Sequence, residues 1–282
     1  MKVLVTGVNG QLGYDVCEVL GARGIENRGV DIGDFDITDK QAVWNYLMDY
    51  CPNVVIHCSA WTAVDAAEDQ PEKVAAVNVD GPRNIADACR ELGAKMVYIS
   101  TDYVFPGTEE RFYEVDDATG PLGVYGATKL GGEWAVKEMM SHYFIVRVSW
   151  VFGKNGNNFV KTMLRLSETM DEVRVVDDQV GSPTYTADLA PLLCDMIETE
   201  QYGTYHASNE GICSFAEFAE EIFRQAGKDV RVCHIHSSEY PTKATRPLNS
   251  RLSKRSLETA GFRRLQPWQD ALRDYLVEIG RK

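Results

Sequence analysis

Residues 7–13 constrain this chain more than any other stretch. The apolar run Val3-Leu4-Val5-Thr6 reads as a strand and passes straight into Gly7-Val8-Asn9-Gly10-Gln11-Leu12-Gly13, and a helical pattern over 11–23 follows. Glycines spaced G-x-x-G-x-x-G at a strand-to-helix turn divide the work among them. Gly7 permits the tight turn, Gly10 lets the backbone approach a pyrophosphate, and Gly13 lets the helix lie close to the sheet. Gln11 and Leu12 open the helix, whose N-terminus offers free N–H groups and a positive dipole end to phosphates. A lone glycine triplet is a weak signal, but this one sits between the right strand and the right helix for dinucleotide binding.

The alternation continues along the chain. Residues 29–31 end a second strand, 41–50 read as a helix, 54–57 as a buried strand and 71–92 as a long helical region. Then come a strand over 95–100, a helix over 126–141 and a strand over 143–148. Strands alternating with helices at this spacing imply right-handed crossovers and a doubly wound parallel α/β sheet covered on both faces. Residues 1–150 therefore read as a dinucleotide-binding domain. Beyond Trp150 the rhythm loosens, with turn-rich stretches such as Gly153-Lys154-Asn155-Gly156 and helical patterns over 188–199, 215–226 and 268–279. Residues 151–282 read as a smaller, mainly substrate-binding lobe, some of whose segments return to the first domain.

Charge narrows the partners. Forty-two acidic residues against 29 Lys plus Arg leave a net charge of −13. A field of that sign repels nucleic-acid backbones and anionic lipid surfaces, while leaving room for one locally basic pocket that takes a small anion. The seven cysteines include no C-x-x-C pair, which favours reduced core thiols over a disulfide or zinc framework. With no leader-like segment and no apolar run near the roughly 20 residues a membrane helix needs, the expected location is the cytoplasm.

Three features carry the chemistry. Tyr125 and Lys129 form Y-x-x-x-K on a helical segment, so phenol and ammonium share one face, where the cation is expected to draw the phenol pKa toward neutrality. Thr101 stands at the end of the fourth strand, where ligands of doubly wound sheets bind, and its hydroxyl can meet a carbonyl oxygen. Asp31, 18 residues after Gly13, is placed to bond the adenosine ribose hydroxyls, which favours NADH; Arg23 and Arg28 nearby offset a 2′-phosphate, so NADPH stays open.

Together these motifs resemble the extended short-chain dehydrogenases/reductases, a Rossmann-fold family. The further stretches Ser59-Ala60-Trp61-Thr62-Ala63-Val64-Asp65, Ser100-Thr101-Asp102-Tyr103-Val104-Phe105, Arg147-Val148-Ser149-Trp150, Asp178-Gln179-Val180-Gly181-Ser182-Pro183-Thr184 and Arg246-Pro247 are similar to its sugar-nucleotide reductase branch over essentially the whole chain. The resemblance implies NAD(P)H-dependent reduction of the C4 ketone of a dTDP-linked 4-dehydro sugar. It assigns Thr101, Tyr125 and Lys129 to catalysis, with Tyr125 as proton donor and Lys129 on the nicotinamide ribose. It places Asp36 and Ile37 at the adenine, Ser59, Ala60 and Trp61 beside the adenosine and phosphates, and Asp102 and Trp150 at the sugar nucleotide. Some members join two subunits through Mg²⁺ held by carboxylates; Asp15 matches one ligand and the rest have no assigned counterpart, so Mg²⁺ and a homodimer stay open.

Other readings compete. A dehydratase or epimerase of the same fold is disfavoured because Tyr103 stands where a dehydratase carries Glu after Thr-Asp. A regulatory relative without activity is disfavoured by the three catalytic residues occurring together. Arg246 is a candidate donor to the substrate pyrophosphate. His234 and His236 lack a third ligand and read as packing residues. Asp65 and Glu68 read as the solvated face of a helical turn, with no chemistry assigned.

Overall fold

A computed structural model describes residues 1–281. Five strands, β1 (Lys2–Thr6), β2 (Glu26–Val30), β3 (Val54–His57), β4 (Lys95–Thr101) and β5 (Tyr143–Val148), join Gly203–His206 in one six-stranded sheet. Its order is Gly203–His206, β5, β4, β3, β1, β2, and every pairing is parallel. From β1 the chain moves to one side to form β2 and to the other to form β3. The sheet's switch point therefore lies between β1 and β3, just past Thr6, where doubly wound sheets open a ligand crevice.

Alternation along the strands sorts the core into two layers. Val3 and Val5 pack with Val16 and Leu20 of helix α1 (Gln11–Ala22) and with Leu189 and Leu193 of helix Thr186–Ile197. Leu4 points the other way, into a layer with Val43 and Leu47 of helix α2 (Lys40–Tyr50) and Ile85 of helix Gly81–Leu92. Thus one helix and one strand from beyond residue 151 complete the main sheet. A separate core built on Phe152, Val160, Phe218, Trp268 and Tyr275 holds the second lobe.

The long helical region expected over 71–92 is interrupted. Helix Pro71–Ala75 passes through a π-helical turn, Ala76–Asp80, before Gly81–Leu92. The turn presents Asn78, which is buried; it accepts the Trp61 N–H at 2.8 Å and donates to the Trp61 carbonyl at 3.1 Å. A wider turn inserted to re-aim one side chain is a common device near functional sites, and no hydrophobic period announces it.

Candidate active site

A cleft of about 960 Å³ opens beyond the carboxyl ends of β1, β3, β4 and β5. On one side lies the glycine turn. Gly7 has φ 72°, and a Cβ there would stand 2.8 Å from the Ser59 nitrogen, so two independent constraints require glycine. A Cβ on Gly13 would stand 2.8 Å from the Gly7 carbonyl carbon, so the helix could not seat against the turn. Gly10 caps α1 without a side chain, and Gly10, Gln11, Leu12 and Gly13 line the cleft. First-turn N–H groups left uncapped at an open cleft suit an anion.

Asp31, Asp36, Ile37, Ser59 and Ala60 also line the cleft. Asp31 follows β2 directly and accepts the Asn9 N–H at 3.0 Å and the Ile32 N–H at 2.8 Å. Arg23 and Arg28 are not among the lining residues. Arg23 is bound to Asp195 at 2.8 Å, and Arg28 lies over the Tyr50 ring at 4.3 Å. Trp61 is not among the lining residues; its backbone is bracketed by Asn78, and its indole N–H turns to the Ala63 carbonyl at 3.2 Å.

Thr101, Tyr125 and Lys129 meet on the other side. Tyr125 and Lys129 sit on helix Val124–Met139, which starts two residues earlier than the sequence pattern indicates. Lys129 is buried, donates to the Ile99 carbonyl at 2.7 Å and lies 4.2 Å over the Tyr98 ring. Burial pushes its ammonium down to about 7, and Glu133 one turn on acts in the opposite direction. The expected lowering of the phenol pKa is not what this geometry produces. Burial pushes Tyr125 well above the ordinary tyrosine range, Asp102 and Tyr103 act in the same direction, and the neighbouring Thr101 hydroxyl acts against it.

Thr101 donates to Asp102 Oδ1 at 2.9 Å. Asp102 is buried, takes a second hydrogen bond from the Ser250 hydroxyl, and is pushed up to about 6 by desolvation. Trp150 is held at φ 48°, a left-handed conformation rare outside glycine. Its ring stacks on Phe215 at 3.8 Å, and a Cβ on Gly181 would stand 3.0 Å from it, which explains that glycine in Gly181-Ser182-Pro183-Thr184. Phe159, Phe215 and Phe218 extend this apolar wall; the sequence pattern places Phe215 and Phe218 only on a helix of the lobe and assigns nothing to Phe159.

Arg246 also lines the cleft, and it is not free: its guanidinium pairs with Asp65 at 2.7 Å. Glu68 Oε1 accepts the Val124 N–H at 2.9 Å. Asp65 does stand on a helical turn, Val64–Ala67, with its side chain 45% exposed, and Glu68 is half-buried; beyond that reading, both reach partners far away in sequence. His234 lies between Asp177 at 3.1 Å and Glu220 at 2.9 Å, at the edge of a two-stranded sheet.

The donors present fit a dinucleotide: a glycine cradle, an uncapped helix start, Asp31 at the β2 end and two cleft cations, Lys129 and Arg246. They do not compose a metal centre. Asp15 is buried with Oδ2 lacking a partner, and Glu278 is engaged by the Tyr185 hydroxyl at 2.7 Å. Among the described residues no three His, Cys, Asp or Glu side chains group to hold an ion, and no helix is long and apolar enough to cross a membrane.

The sheet order, the glycine turn and the Thr101, Tyr125, Lys129 cleft define an extended short-chain dehydrogenase/reductase. More narrowly, residues 1–280 match the RmlD substrate binding domain, and the chain belongs to that family. It is 44% identical to a dTDP-4-dehydrorhamnose reductase of Streptomyces griseus, over 95% of this chain and 91% of that protein. It is 41% identical to the spore coat polysaccharide biosynthesis protein SpsK of Bacillus subtilis, over 98% and 97% of the two chains. The crystal structure of dTDP-4-dehydrorhamnose reductase from Bacillus anthracis in complex with NADP superposes with a TM-score of 0.96 at 43% identity, covering 99% of this chain and 100% of that one.

Proposed function

We propose that the chain is an NAD(P)H-dependent oxidoreductase that reduces the C4 ketone of dTDP-4-dehydro-β-L-rhamnose to dTDP-L-rhamnose, the last step of dTDP-L-rhamnose synthesis for polysaccharides. The observation that carries the reading is the presence of Thr101, Tyr125 and Lys129 in one cleft of a chain matched to its family over 1–280.

Residues 1–150 form the dinucleotide-binding half in this reading, and 151–282 mainly the substrate lobe. Gly7, Gly10, Gln11, Leu12 and Gly13 hold the pyrophosphate. Asp31, Asp36 and Ile37 hold the adenosine end, Ser59, Ala60 and the Trp61 backbone flank the phosphates, and Lys129 holds the nicotinamide ribose. When bound, the reduced nicotinamide supplies the hydride. Thr101 orients the ketone oxygen, and Tyr125 gives that oxygen its proton. A phenol whose pKa is raised by burial is fully protonated near neutral pH, so the donor is loaded when substrate arrives. Asp102 and Trp150 contact the sugar nucleotide, and Arg246 neutralises its diphosphate.

The reading places the enzyme in the cytoplasm, in keeping with seven free cysteines. Pairing of two copies is read by sedimentation with and without Mg²⁺. Turnover tests the whole: cofactor oxidation that depends on the 4-dehydro sugar supports the reading, and its absence from enzyme that binds cofactor overturns it.

A further inference from the structure

Glu68 is absorbed by none of the roles above. It lies in the segment that leaves β3, and its carboxylate crosses to the first residue of helix Val124–Met139, 56 positions away, accepting the Val124 N–H at 2.9 Å. The helix has no cap of its own, because Gly123 at the N-cap carries no side chain. A Cβ at Gly123 would stand 2.6 Å from Glu68 Oε1. Gly123 has φ −146°, an extended conformation open to any residue, so its lack of a side chain serves to leave room for the carboxylate. An anion at an uncapped helix start meets orphan N–H groups and the positive dipole end together.

The same turn is held from its other side. The Thr128 hydroxyl reaches the carbonyls of Val124 at 2.9 Å and Tyr125 at 3.0 Å, and Asn78 Nδ2 approaches that hydroxyl at 3.3 Å. Upstream of Glu68, residues Ser59, Ala60 and Thr62 line the dinucleotide side of the cleft, and Asp65 grips Arg246. One short segment therefore touches the dinucleotide side, the catalytic helix and the candidate substrate cation.

We propose that Glu68 is a positioning residue: by capping the helix that carries Tyr125, it fixes the phenol beside Thr101 and ties that placement to the loop after β3. The proposal rests on the reductase reading for its kinetic consequence. Misplacement of a reacting group by a fraction of an ångström slows the chemical step more than it weakens binding.

The test compares wild type with Glu68→Ala, Glu68→Gln and Gly123→Ala, using NADPH, its hydride-deuterated form and dTDP-4-dehydro-L-rhamnose. In Glu68→Ala, kcat falls roughly ten- to a hundredfold while KM moves by less than about threefold, and the primary deuterium isotope effect rises as hydride transfer becomes the slow step. Glu68→Gln keeps an accepting oxygen and stays within about threefold of wild type, whereas Gly123→Ala, which displaces the carboxylate, follows Glu68→Ala. A variant that is merely less stable loses active enzyme but shows an unchanged isotope effect. Hydrogen exchange at the Val124 amide gives a readout free of substrate: it speeds up in Glu68→Ala and Gly123→Ala and not in Glu68→Gln. Wild-type kcat and isotope effect in Glu68→Ala, or unchanged Val124 exchange, overturn the proposal. If wild type itself fails to oxidise cofactor with this substrate, the functional reading falls, and Val124 exchange alone decides whether Glu68 seats the helix.

Discussion

Arg147 grips Glu133 with two parallel hydrogen bonds, 2.7 Å from Nε to Oε1 and 2.7 Å from a terminal nitrogen to Oε2, and neither side chain reaches solvent. Ser100 donates a third bond to the same carboxylate at 2.6 Å, and Arg147 also reaches the Val115 carbonyl at 3.1 Å. Glu133 lies one helical turn past Lys129, and Arg147 lies on β5. The pair thus joins the helix that carries Tyr125 and Lys129, the end of β4, β5 and the connection between Thr101 and Tyr125 into one frame. Fork-to-fork geometry of this kind is the strongest that Arg and a carboxylate make.

Breaking that pair leaves a buried charge without a partner. Glu133→Gln is expected to lower unfolding free energy by about 3–5 kcal/mol, because the guanidinium stays buried and uncompensated. Urea denaturation at neutral pH measures it. A loss under about 1 kcal/mol would show that the pair contributes no more than a surface contact does.

Tyr125→Phe removes the proposed proton donor and little else. Cofactor affinity stays at the wild-type value while kcat falls by about two to four orders of magnitude. Calorimetry with NADPH and single-turnover reduction read the two quantities separately. A near-normal rate would strip Tyr125 of its role as acid.

If Lys129 holds the nicotinamide ribose as proposed, it ties pH to cofactor capture. Its folded pKa is pushed down to about 7 from 10.5, so the ammonium is present below that pH and lost as pH rises through it. Since kcat/KM for the reduced cofactor reports the free enzyme, it falls as pH rises through about 7. The linked stability runs the other way: between about 7 and 10.5 the unfolded chain holds a proton that the folded chain lacks, so this group's contribution grows with pH. Lys129→Met flattens both dependences, and a limb unchanged in that variant assigns the titration to another group.

In the proposed function Asp31 sets the balance between the two nicotinamide cofactors. Among the described residues the cleft's cations are Lys129 and Arg246, and Arg23 and Arg28 are occupied elsewhere. A 2′-phosphate beside Asp31 therefore meets a carboxylate and no cation among the lining residues next to it. Asp31→Asn raises affinity for NADPH relative to NADH by at least about fivefold, measured by equilibrium binding of each. An unchanged ratio removes Asp31 from discrimination.

Much of the frame was legible in the sequence because it rests on local signals. The glycines at 7, 10 and 13 and the apolar runs 54–57 and 143–148 announce strand, turn and helix within a few residues of one another. Tyr125 and Lys129 were legible for the same reason, being one helical turn apart. What stayed hidden depends on contacts between distant segments. Nothing near Glu68 signals that it accepts the first N–H of a helix 56 residues on, and nothing near Asp65 signals its pairing with Arg246. The π-helical turn at Ala76–Asp80 is invisible to hydrophobic period. The direction of the Tyr125 pKa stays hidden too, because spacing on a helix places Lys129 near the phenol but does not say that the fold buries that phenol beside Asp102 and Tyr103.

The most direct test of the central claim is cofactor oxidation by purified protein given dTDP-4-dehydro-L-rhamnose, followed at the nicotinamide absorbance with NADPH and NADH in parallel and with the product identified by NMR. The account predicts stoichiometric oxidation with either cofactor, dTDP-L-rhamnose as product, and no oxidation without the sugar nucleotide. Protein that binds cofactor yet leaves it reduced, or that yields a dehydrated or epimerised sugar with no net oxidation, would contradict it.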